Sequence, residues 1–536
     1  GGRARGSLMS QSGFVEGVRA AKGEDNVILV DAGDNFSGGG APFYYNFVDT
    51  TSAHLYPRLA AYMGYDAVVA GHSDFEAGHR VYDRVAREMR KAGVPFLAGN
   101  AVSERTGKGY LPAYSIVRKG GVKVAVLGYT NAANASLMDA SCVSGISFKS
   151  LLPLVQEDVD KVRSKEKPQV VIVVAHTSMG KGDGKNLERQ GLDLFNSLKG
   201  VDVLVTGHDH TTKVLKTDST VLLDCGRAGQ YACLADIKLV VRGGKVISPS
   251  LSGEVESFGS ENYDTAMEEA FKSDYEKVRD FNTSHVGEVK KDLVSREFYY
   301  RQCDYMNFLH ALAFSAWPVD ISLSATLLID GMVPAGEVRY QDIRKIYPYD
   351  NKLVVLRLTG AEILRYLEAS YDAWISTVPG PAEGSHVLRI TQTKDYATGG
   401  MKWKLAKSPA NFDSAAGIRY TVDVTKPYGS RVTVSGMADG SPFEMDKYYS
   451  AAITSYRSTG SGGLMKAAGL MDARSVEDRI IYRGPEFRTI LYRYLKKHGS
   501  IDPAVVGDPN VVGSWRFVPD LAPEAIKADV ELIYGK

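Results

Sequence analysis

Four side chains of types that bind metal ions follow apolar runs of this sequence. His208 and His210 lie in a Gly-His-Asp-His tetrapeptide directly after the run at 201–206, Asp34 follows the run at 27–30, and His176 follows the run at 171–175. Because such runs predict buried strands, these side chains are expected together at one sheet edge. A carboxylate there can bridge two divalent cations, and imidazole nitrogen binds zinc, copper, iron or nickel. The spacing therefore predicts a metal centre suited to phosphate-ester chemistry.

The first half of the chain alternates strands with amphipathic helices. The predicted strands are 26–30, 67–70, 122–127, 169–175, 201–206, 220–224 and 234–241, and the predicted helices are 14–22, 51–63, 79–91 and 151–165. This alternation predicts an α/β fold with its polar residues just past the strand ends. Only a turn separates the last two strands, so they are expected to pair with each other in antiparallel fashion.

The pattern changes near residue 257. Residues 262–281 have helical periodicity, many charges and no Gly or Pro, which favours a helix that connects two domains. The alternative is that they form the last helix of the first domain. Mixed α and β segments continue to the end of the chain. We therefore predict a first domain at 1–256, a linking helix at 257–285 and a second α/β domain at 286–536.

Composition excludes several classes of function. The 64 basic and 63 acidic residues give a net charge of +1, so attraction to nucleic acid or an anionic membrane is not expected. No apolar run approaches the ~18–20 residues of a transmembrane helix. Cys225 and Cys233 flank a turn that could bring them face to face, but two buried free thiols are the preferred interpretation.

Several segments together resemble one known family. Val-Asp-Ala-Gly-Asp-Asn at 30–35, Leu-Ala-Gly-Asn at 97–100, the strand that leads to His176, and the tetrapeptide at 207–210 are similar to the calcineurin-type metallophosphoesterase domain of secreted bacterial 5′-nucleotidases. Segments 345–353, 358–364, 411–418 and 455–463 are similar, in order and spacing, to the C-terminal substrate domain of that family. The resemblance covers nearly the whole chain. It implies a metallophosphoesterase α/β sandwich, a linking helix and a C-terminal 5′-nucleotidase-type α/β domain.

The resemblance also implies roles for individual residues. Asp34 would be the bridging carboxylate, His176 and His208 would bind one metal ion, and His210 would bind the other. The metal would be zinc, manganese or iron, with one ion or two.

Three further residues fall at substrate-binding positions of the family: Asn100, Phe412 and Leu464. Phe412 takes the place of one of two aromatic rings that sandwich the nucleobase, and Leu464 takes the place of the other. An ordinary core aromatic is the alternative for Phe412. The expected ligand is a small nucleotide or phosphoester, and a periplasmic or cell-surface monomer or dimer is expected.

The sequence departs from the family's Gly-Asn-His-(Glu/Asp) segment. It reads Gly-His-Ser-Asp-Phe-Glu at 71–76. His72 replaces the asparagine ligand and can still bind metal through nitrogen. Ser73 replaces the catalytic histidine and cannot carry a proton near neutral pH. Glu76 is predicted at the position of the carboxylate that orients that histidine.

Two other elements of the family have no counterpart in the sequence. The Asp-x-His strand that supplies two ligands to one metal is missing, so the chain as given is expected to begin after it. The Asn-Gly-Gly-x-Arg segment is replaced near 328–332. The preferred interpretation is a metal-dependent phosphomonoester hydrolase of the 5′-nucleotidase type. The alternatives are a relative that binds metal or nucleotide without efficient turnover, and a purely structural surface protein.

Overall fold

The computed structural model describes residues 7–242, 245–380, 385–394, 400–503, 511 and 514–535. The chain divides into two compact units, Gly1–Phe281 and Asn282–Lys536. Both units mix helices with strands, as the sequence predicts. No helix in the described ranges is both long enough and apolar enough to cross a membrane.

The first unit is built on a six-stranded sheet and a three-stranded parallel sheet. The strands of the six-stranded sheet are, in spatial order, Thr212–Lys216, Val221–Cys225, Val203–Thr206, Val170–Ala175, Val122–Tyr129 and Tyr114–Lys119. Those of the three-stranded sheet are Val30–Asp31, Ala67–Val69 and Phe96–Leu97. Two pairs complete the unit, Ala101–Ser103 with Ile146–Phe148 and Tyr231–Arg242 with Lys245–Ser257.

The central strand Val170–Ala175 shows how the layers pack. Because successive side chains point to opposite faces, Val171 and Val173 contact the helix Leu151–Lys165 on one face. On the other face, Ile172 and its even-numbered neighbours join a core cluster with residues of the three-stranded sheet. The strand is therefore buried on both faces, which explains its uninterrupted apolar sequence.

The helices of the first unit lie around these sheets. Their bounds are Leu8–Lys22, Gly40–Phe43, the π-helix Tyr44–Val48, Leu55–Tyr62, His72–Glu76, His79–Ala92, Asn134–Leu137, Leu151–Lys165, Gly191–Ser197, Thr265–Ala270 and Lys272–Asn282, with 3₁₀ turns at Glu24–Asn26, Ala140–Val143 and Ser260–Asn262. The prediction at 151–165 is confirmed to the residue, and the one at 14–22 is confirmed in part because its helix starts six residues earlier. The strand predicted at 26–30 is wrong: the chain forms a 3₁₀ turn there and the strand begins at Val30.

The predicted pairing of the last two strands is also wrong. Val221–Cys225 pairs with Thr212–Lys216 and Val203–Thr206, whereas Tyr231–Arg242 forms a long hairpin with Lys245–Ser257. The two strands are nevertheless linked, because Cys225 and Cys233 form a disulfide bond. The preferred interpretation of two free thiols is therefore corrected. Cys142 and Cys303 are free.

The segment predicted as a linking helix forms two helices, Thr265–Ala270 and Lys272–Asn282. Met267 is fully buried in the core of the first unit. The Asp274 carboxylate receives two hydrogen bonds from Arg58, at 2.7 and 2.8 Å, and one from the Tyr45 hydroxyl. These contacts bind both helices to the first unit, so that unit extends beyond the boundary predicted at residue 256.

The second unit contains a five-stranded mixed sheet. Its strands are, in spatial order, Asp413–Ala416, Ile321–Ala325, Tyr448–Thr454, Lys352–Thr359 and Ile480–Glu486. Smaller sheets join His285–Val289 with Gly336–Arg339 and Ser500–Ile501, Leu293–Val294 with Met332–Val333, Ile390–Lys394 with Met401–Leu405, and Ile418–Asp423 with Val432–Met437 and Trp515–Val518. The helices are Asp304–Ala316, Ile343–Ile346, Gly360–Trp374, Ser455–Ser458, Leu464–Ala468, Ala473–Glu477, Phe487–His498 and Ala522–Tyr534, with 3₁₀ turns at Arg296–Tyr299, Tyr340–Asp342, Pro409–Asn411 and Ser461–Gly463.

Candidate metal centre

Four chain segments that follow strands of the first unit meet at one place. Asp34 follows the strand Val30–Asp31, and His72 follows the neighbouring strand Ala67–Val69. His176 follows Val170–Ala175, and His208 follows the parallel strand Val203–Thr206 of the other sheet. The carboxyl ends of these parallel strands therefore deliver one side chain each to a common site, as the sequence predicts.

The potential ligand atoms of these four residues all lie within 4.8 Å of one another. The Nδ1 atom of His72 lies 2.9 Å from Asp34 Oδ2, 3.1 Å from His176 Nε2 and 3.2 Å from His208 Nδ1. Asp34 Oδ2 and His176 Nε2 are 3.2 Å apart. Metal–ligand bonds of ~2.0–2.1 Å give tetrahedral edges of about 3.3 Å, close to these separations. Three nitrogens and one carboxylate oxygen within 4.8 Å of one another suit a divalent cation.

The second ring nitrogen of each imidazole has a partner outside the cluster. These contacts join His176 Nδ1 to the Ala32 carbonyl oxygen at 2.7 Å, His72 Nε2 to the Ser73 hydroxyl at 3.3 Å, and His208 Nε2 to the Glu188 carboxylate at 3.0 Å. Such contacts fix which nitrogen faces a metal and how the ring is turned. The set is therefore preorganised around one point.

The backbone at this site is strained at three candidate residues. Asp34, His208 and His210 have φ values of 69°, 92° and 59°, in the left-handed region that costs energy for residues other than glycine. Residues held in this region persist only where the surrounding structure fixes them, and they concentrate at functional sites.

A buried carboxylate holds the loop that carries Asp34. Asp74 is fully buried and receives hydrogen bonds from the backbone N–H groups of Asp34, Asn35, Phe36 and Gly71, at 2.7–2.9 Å. Sequence reasoning assigned no role to Asp74 and placed only the carboxylate that orients the catalytic histidine, at Glu76. The family segment itself contained the signal, because Asp74 directly follows Ser73 where that segment has Glu or Asp.

Two glycines permit the close approach of the same segments. A Cβ atom on Gly71 would lie 2.2 Å from Asp34 Oδ1, and one on Gly33 would lie 2.4 Å from the Gly71 nitrogen. Both positions therefore exclude any side chain. The Asp34 Oδ1 atom also accepts a hydrogen bond from the Ser73 N–H at 2.8 Å, so its Oδ2 atom is left to face the imidazoles.

The electrostatics favour exchange of a proton for a cation. Burial acts to raise the pKa of Asp34, but the imidazoles of His176 and His72 hold it well below its ordinary value. Burial acts to lower the pKa of His176, but the Asp34 carboxylate raises it to about 9. Burial lowers the pKa of His72. The Asp34 carboxylate therefore stabilises a positive charge on His176. A divalent cation bound at the cluster would replace the proton that carries this charge.

The other predicted residues, His210, Glu76 and Ser73, are not among the four clustered ligands. His210 is exposed. Partial desolvation of its ring and the charge of the nearby Arg227 both lower its pKa. Glu76 is half-buried at the end of the helix His72–Glu76. Ser73 lies at the cluster but contacts it only through the backbone bond to Asp34 and the hydroxyl contact with His72. A ligand role for His210 and a carboxylate role for Glu76 stay predictions.

The predicted substrate residues are buried. The Asn100 side-chain amide is fully buried and is used by three hydrogen bonds to the backbone of Thr130 and Lys149. Phe412 is also fully buried and stacks on Trp374, with ring centroids 5.5 Å apart. Leu464 belongs to the same core and is 3% exposed. The structure thus gives all three a packing role, and contact with a substrate stays a prediction.

Comparison with known families agrees with this architecture. The family model described as calcineurin-like phosphoesterase matches residues 12–212, and the one described as 5′-nucleotidase, C-terminal domain, matches residues 284–469. The fold of the first unit and its His/Asp cluster thus define a metallophosphoesterase domain of the calcineurin-like class. Together the two matches give the chain the domain arrangement of 5′-nucleotidases, a calcineurin-like phosphoesterase domain followed by a 5′-nucleotidase C-terminal domain.

Curated relatives are distant but extend over most of the chain. The trifunctional nucleotide phosphoesterase protein YfkN of Bacillus subtilis strain 168 is 22% identical over 545 residues, which cover 89% of this chain and 35% of that protein. A 5′-nucleotidase of Vibrio vulnificus is 21% identical over 484 residues, which cover 82% of this chain and 78% of the relative. The chain thus spans about a third of the length of the first of these proteins.

Solved structures share the fold. A putative 5′-nucleotidase of Staphylococcus aureus, solved in complex with α-ketoglutarate, has a TM-score of 0.66 at 17% identity, with 95% of this chain and 94% of that chain covered. The NAD nucleotidase of Haemophilus influenzae has a TM-score of 0.58 at 13% identity, with 96% and 94% covered.

Proposed function

We propose that this protein is a metal-dependent hydrolase of phosphomonoesters of the nucleotide class. The convergence of Asp34, His72, His176 and His208 on one point carries this proposal, because three nitrogens and one oxygen within 4.8 Å of one another suit a divalent metal. The curated relatives named as nucleotidases support the substrate class. Zinc fits the donor set best, and we assign one ion to this cluster, with His210 as a ligand of a second.

A metal bound by these residues would supply a water-derived nucleophile near neutral pH and neutralise charge on a phosphate. The protein's own residues prepare that site. The Ser73 N–H fixes one oxygen of Asp34, and the Ala32 carbonyl fixes the ring of His176. Asp74 holds the loop that carries Asp34. None of these groups needs to move a proton for the site to bind a cation.

The disulfide bond supports a location outside the cytoplasm. Cys225 and Cys233 are paired, and disulfides form and persist in oxidising compartments. We therefore propose a periplasmic or cell-surface location. A monomer or dimer is the expected state.

Metal removal tests the proposed function. Dialysis against a chelator is expected to abolish hydrolysis of a nucleoside 5′-monophosphate, and added zinc or manganese is expected to restore it. Release of inorganic phosphate is the measurement, with elemental analysis of the dialysed protein as the control. Full hydrolysis by metal-free protein would overturn the proposal.

Ser73 is the position at which the proposed chemistry can be improved. A serine hydroxyl cannot act as a general acid near neutral pH, whereas a positioned imidazole typically contributes ~10²–10⁴-fold. We expect Ser73→His to raise kcat by at least about 10-fold. This gain is smaller than the full contribution of a positioned imidazole, because no neighbouring group holds the new ring in place. Ser73→Ala is the matched control: it removes the hydroxyl contact with His72 without adding an imidazole, so it should give no gain in kcat. No gain in Ser73→His with its metal content intact would show that another group already acts as the acid.

A further inference from the structure

The loop between His176 and the helix Gly191–Ser197 folds back on itself and brings the carboxylate of Glu188 next to His208. Its turn brings Gly180 against Arg189, so that a Cβ atom on Gly180 would lie 2.0 Å from the Arg189 carbonyl oxygen. The Gly191 N–H then donates to the Ser178 carbonyl at 2.9 Å, which closes the loop just before the helix Gly191–Ser197. Both ends of the loop are therefore fixed by its own backbone.

Glu188 is the residue that this closure brings to the cluster. Its carbonyl oxygen accepts hydrogen bonds from the Ser178 N–H at 3.2 Å, the Thr177 hydroxyl at 2.9 Å and the Asn131 amide at 3.2 Å. Its own N–H donates to the Asn186 side chain at 2.9 Å. The backbone of Glu188 is thus anchored at both of its polar groups, although the loop lies near the surface.

The Glu188 carboxylate contacts one atom of the candidate metal centre. Its Oε1 atom lies 3.0 Å from His208 Nε2, while His208 Nδ1 faces the cluster. The two side chains are 31% and 11% exposed, so water competes only partly for this contact. Among the three outer partners of the imidazoles, Glu188 is the charged one. The other two are a backbone carbonyl and a hydroxyl.

We propose that Glu188 is a positioning residue of the metal centre, which acts through His208. Its carboxylate accepts a hydrogen bond from the Nε2–H group of His208, holds the ring with Nδ1 directed at the cluster, and makes the ring a stronger electron donor. Outer-sphere carboxylates of this kind typically contribute 10–100-fold to metal affinity. The same loop starts at His176, so its closure fixes two of the three imidazole ligands. This inference rests on the proposed function only for the presence of a metal.

Metal affinity without substrate tests this role. Metal-free wild type, Glu188→Gln and Glu188→Ala are titrated with zinc against a competing chelator, and with cobalt, whose visible absorption reports ligand geometry. Both variants are expected to bind zinc about 10–100-fold more weakly than wild type. Asp183→Asn is the matched control, because it removes a carboxylate from an exposed position of the same loop. Its affinity should stay within about threefold of the wild-type value.

A double variant separates positioning from general damage to the loop. If Glu188 acts through His208, then His208→Ala alone and His208→Ala with Glu188→Gln should bind zinc with the same affinity. A further loss in the double variant, or wild-type affinity in Glu188→Gln, would overturn the assignment while the proposed function stands. Wild-type protein that binds neither metal would overturn both. Equal melting temperatures of the metal-free variants would confirm that the loop is folded in each.

Discussion

Replacing Asp34 with asparagine is expected to weaken zinc binding by more than about 10²-fold and to reduce phosphate release at least as much. Outer partners of metal ligands already contribute 10–100-fold, and Asp34 is itself a candidate ligand. It is also the one anionic member of the cluster, held ionised by His176 and His72. Asparagine tolerates the φ of 69° at this position and keeps an oxygen to accept the Ser73 N–H. The substitution therefore removes a charge without removing the fold.

Titration of the metal-free variant with zinc, followed by an assay of released phosphate, measures this effect. Asp31→Asn is the matched control in the same loop. Asp31 accepts hydrogen bonds from the Gly33 N–H and the Asn35 amide and lies outside the cluster. Burial raises its pKa, so an uncharged amide is a mild change there. Wild-type zinc affinity in Asp34→Asn would show that the cluster is not the metal centre.

Replacing Asp74 with asparagine is expected to release the loop at 31–36 from the rest of the first unit. The carboxylate satisfies four buried N–H groups, and an amide offers one oxygen together with an NH₂ group that opposes them. Each buried donor without an acceptor costs ~1–3 kcal/mol, so the loop should lose on the order of 3 kcal/mol or more. Asp34 would then lose its fixed position, and zinc affinity should fall with it.

Amide hydrogen exchange reports this release directly. The amides of Asp34, Asn35 and Phe36 should exchange about 10²-fold faster in Asp74→Asn than in wild type, which is the rate ratio that ~3 kcal/mol predicts. Asp139→Asn is the control, since that half-buried carboxylate caps a 3₁₀ turn through the N–H and hydroxyl of Ser141. Unchanged exchange at the loop would contradict the role given to Asp74. Burial and the neighbouring Asp34 carboxylate raise the pKa of Asp74, so the closed loop binds a proton more tightly than the open loop does, and the loop should open more readily as the pH rises.

Hydrophobic pattern made the ligands predictable. Asp34, His176 and His208 each follow an apolar run, and the runs before His176 and His208 form buried strands of the six-stranded sheet. His72 was predicted from the resemblance to a family segment, and it too lies in the cluster. The same reasoning was wrong for most of 26–30. The apolar residues 27–30 follow the 3₁₀ turn Glu24–Asn26, and of these four only Val30 pairs with the neighbouring strand. The reasoning failed again for the pairing of 220–224 with 234–241, because each of these strands pairs with its neighbour on the other side along the chain, Thr212–Lys216 and Lys245–Ser257 respectively.

The roles of Asp74 and Glu188 were decided by the tertiary structure. Asp74 acts on backbone N–H groups about forty residues earlier, and Glu188 reaches His208 only because its loop folds back after His176. A backbone N–H has no sequence signature, since every residue except proline supplies one. The disulfide between Cys225 and Cys233 has the same origin: the two strands belong to different sheets, and packing rather than pairing brings the thiols together.

The sequence by itself indicated that this chain presents Asp34, His72, His176 and His208 just after apolar runs, and hence predicted a candidate metal centre. Phe412 and Leu464 show where that reasoning ends, because an apolar side chain at a family position is equally suited to a ligand surface and to a core. Only the folded chain shows both of them buried in the core of the second unit. The geometry at the metal centre was likewise settled by the tertiary structure, since ring orientation depends on hydrogen-bond partners that converge from separate segments.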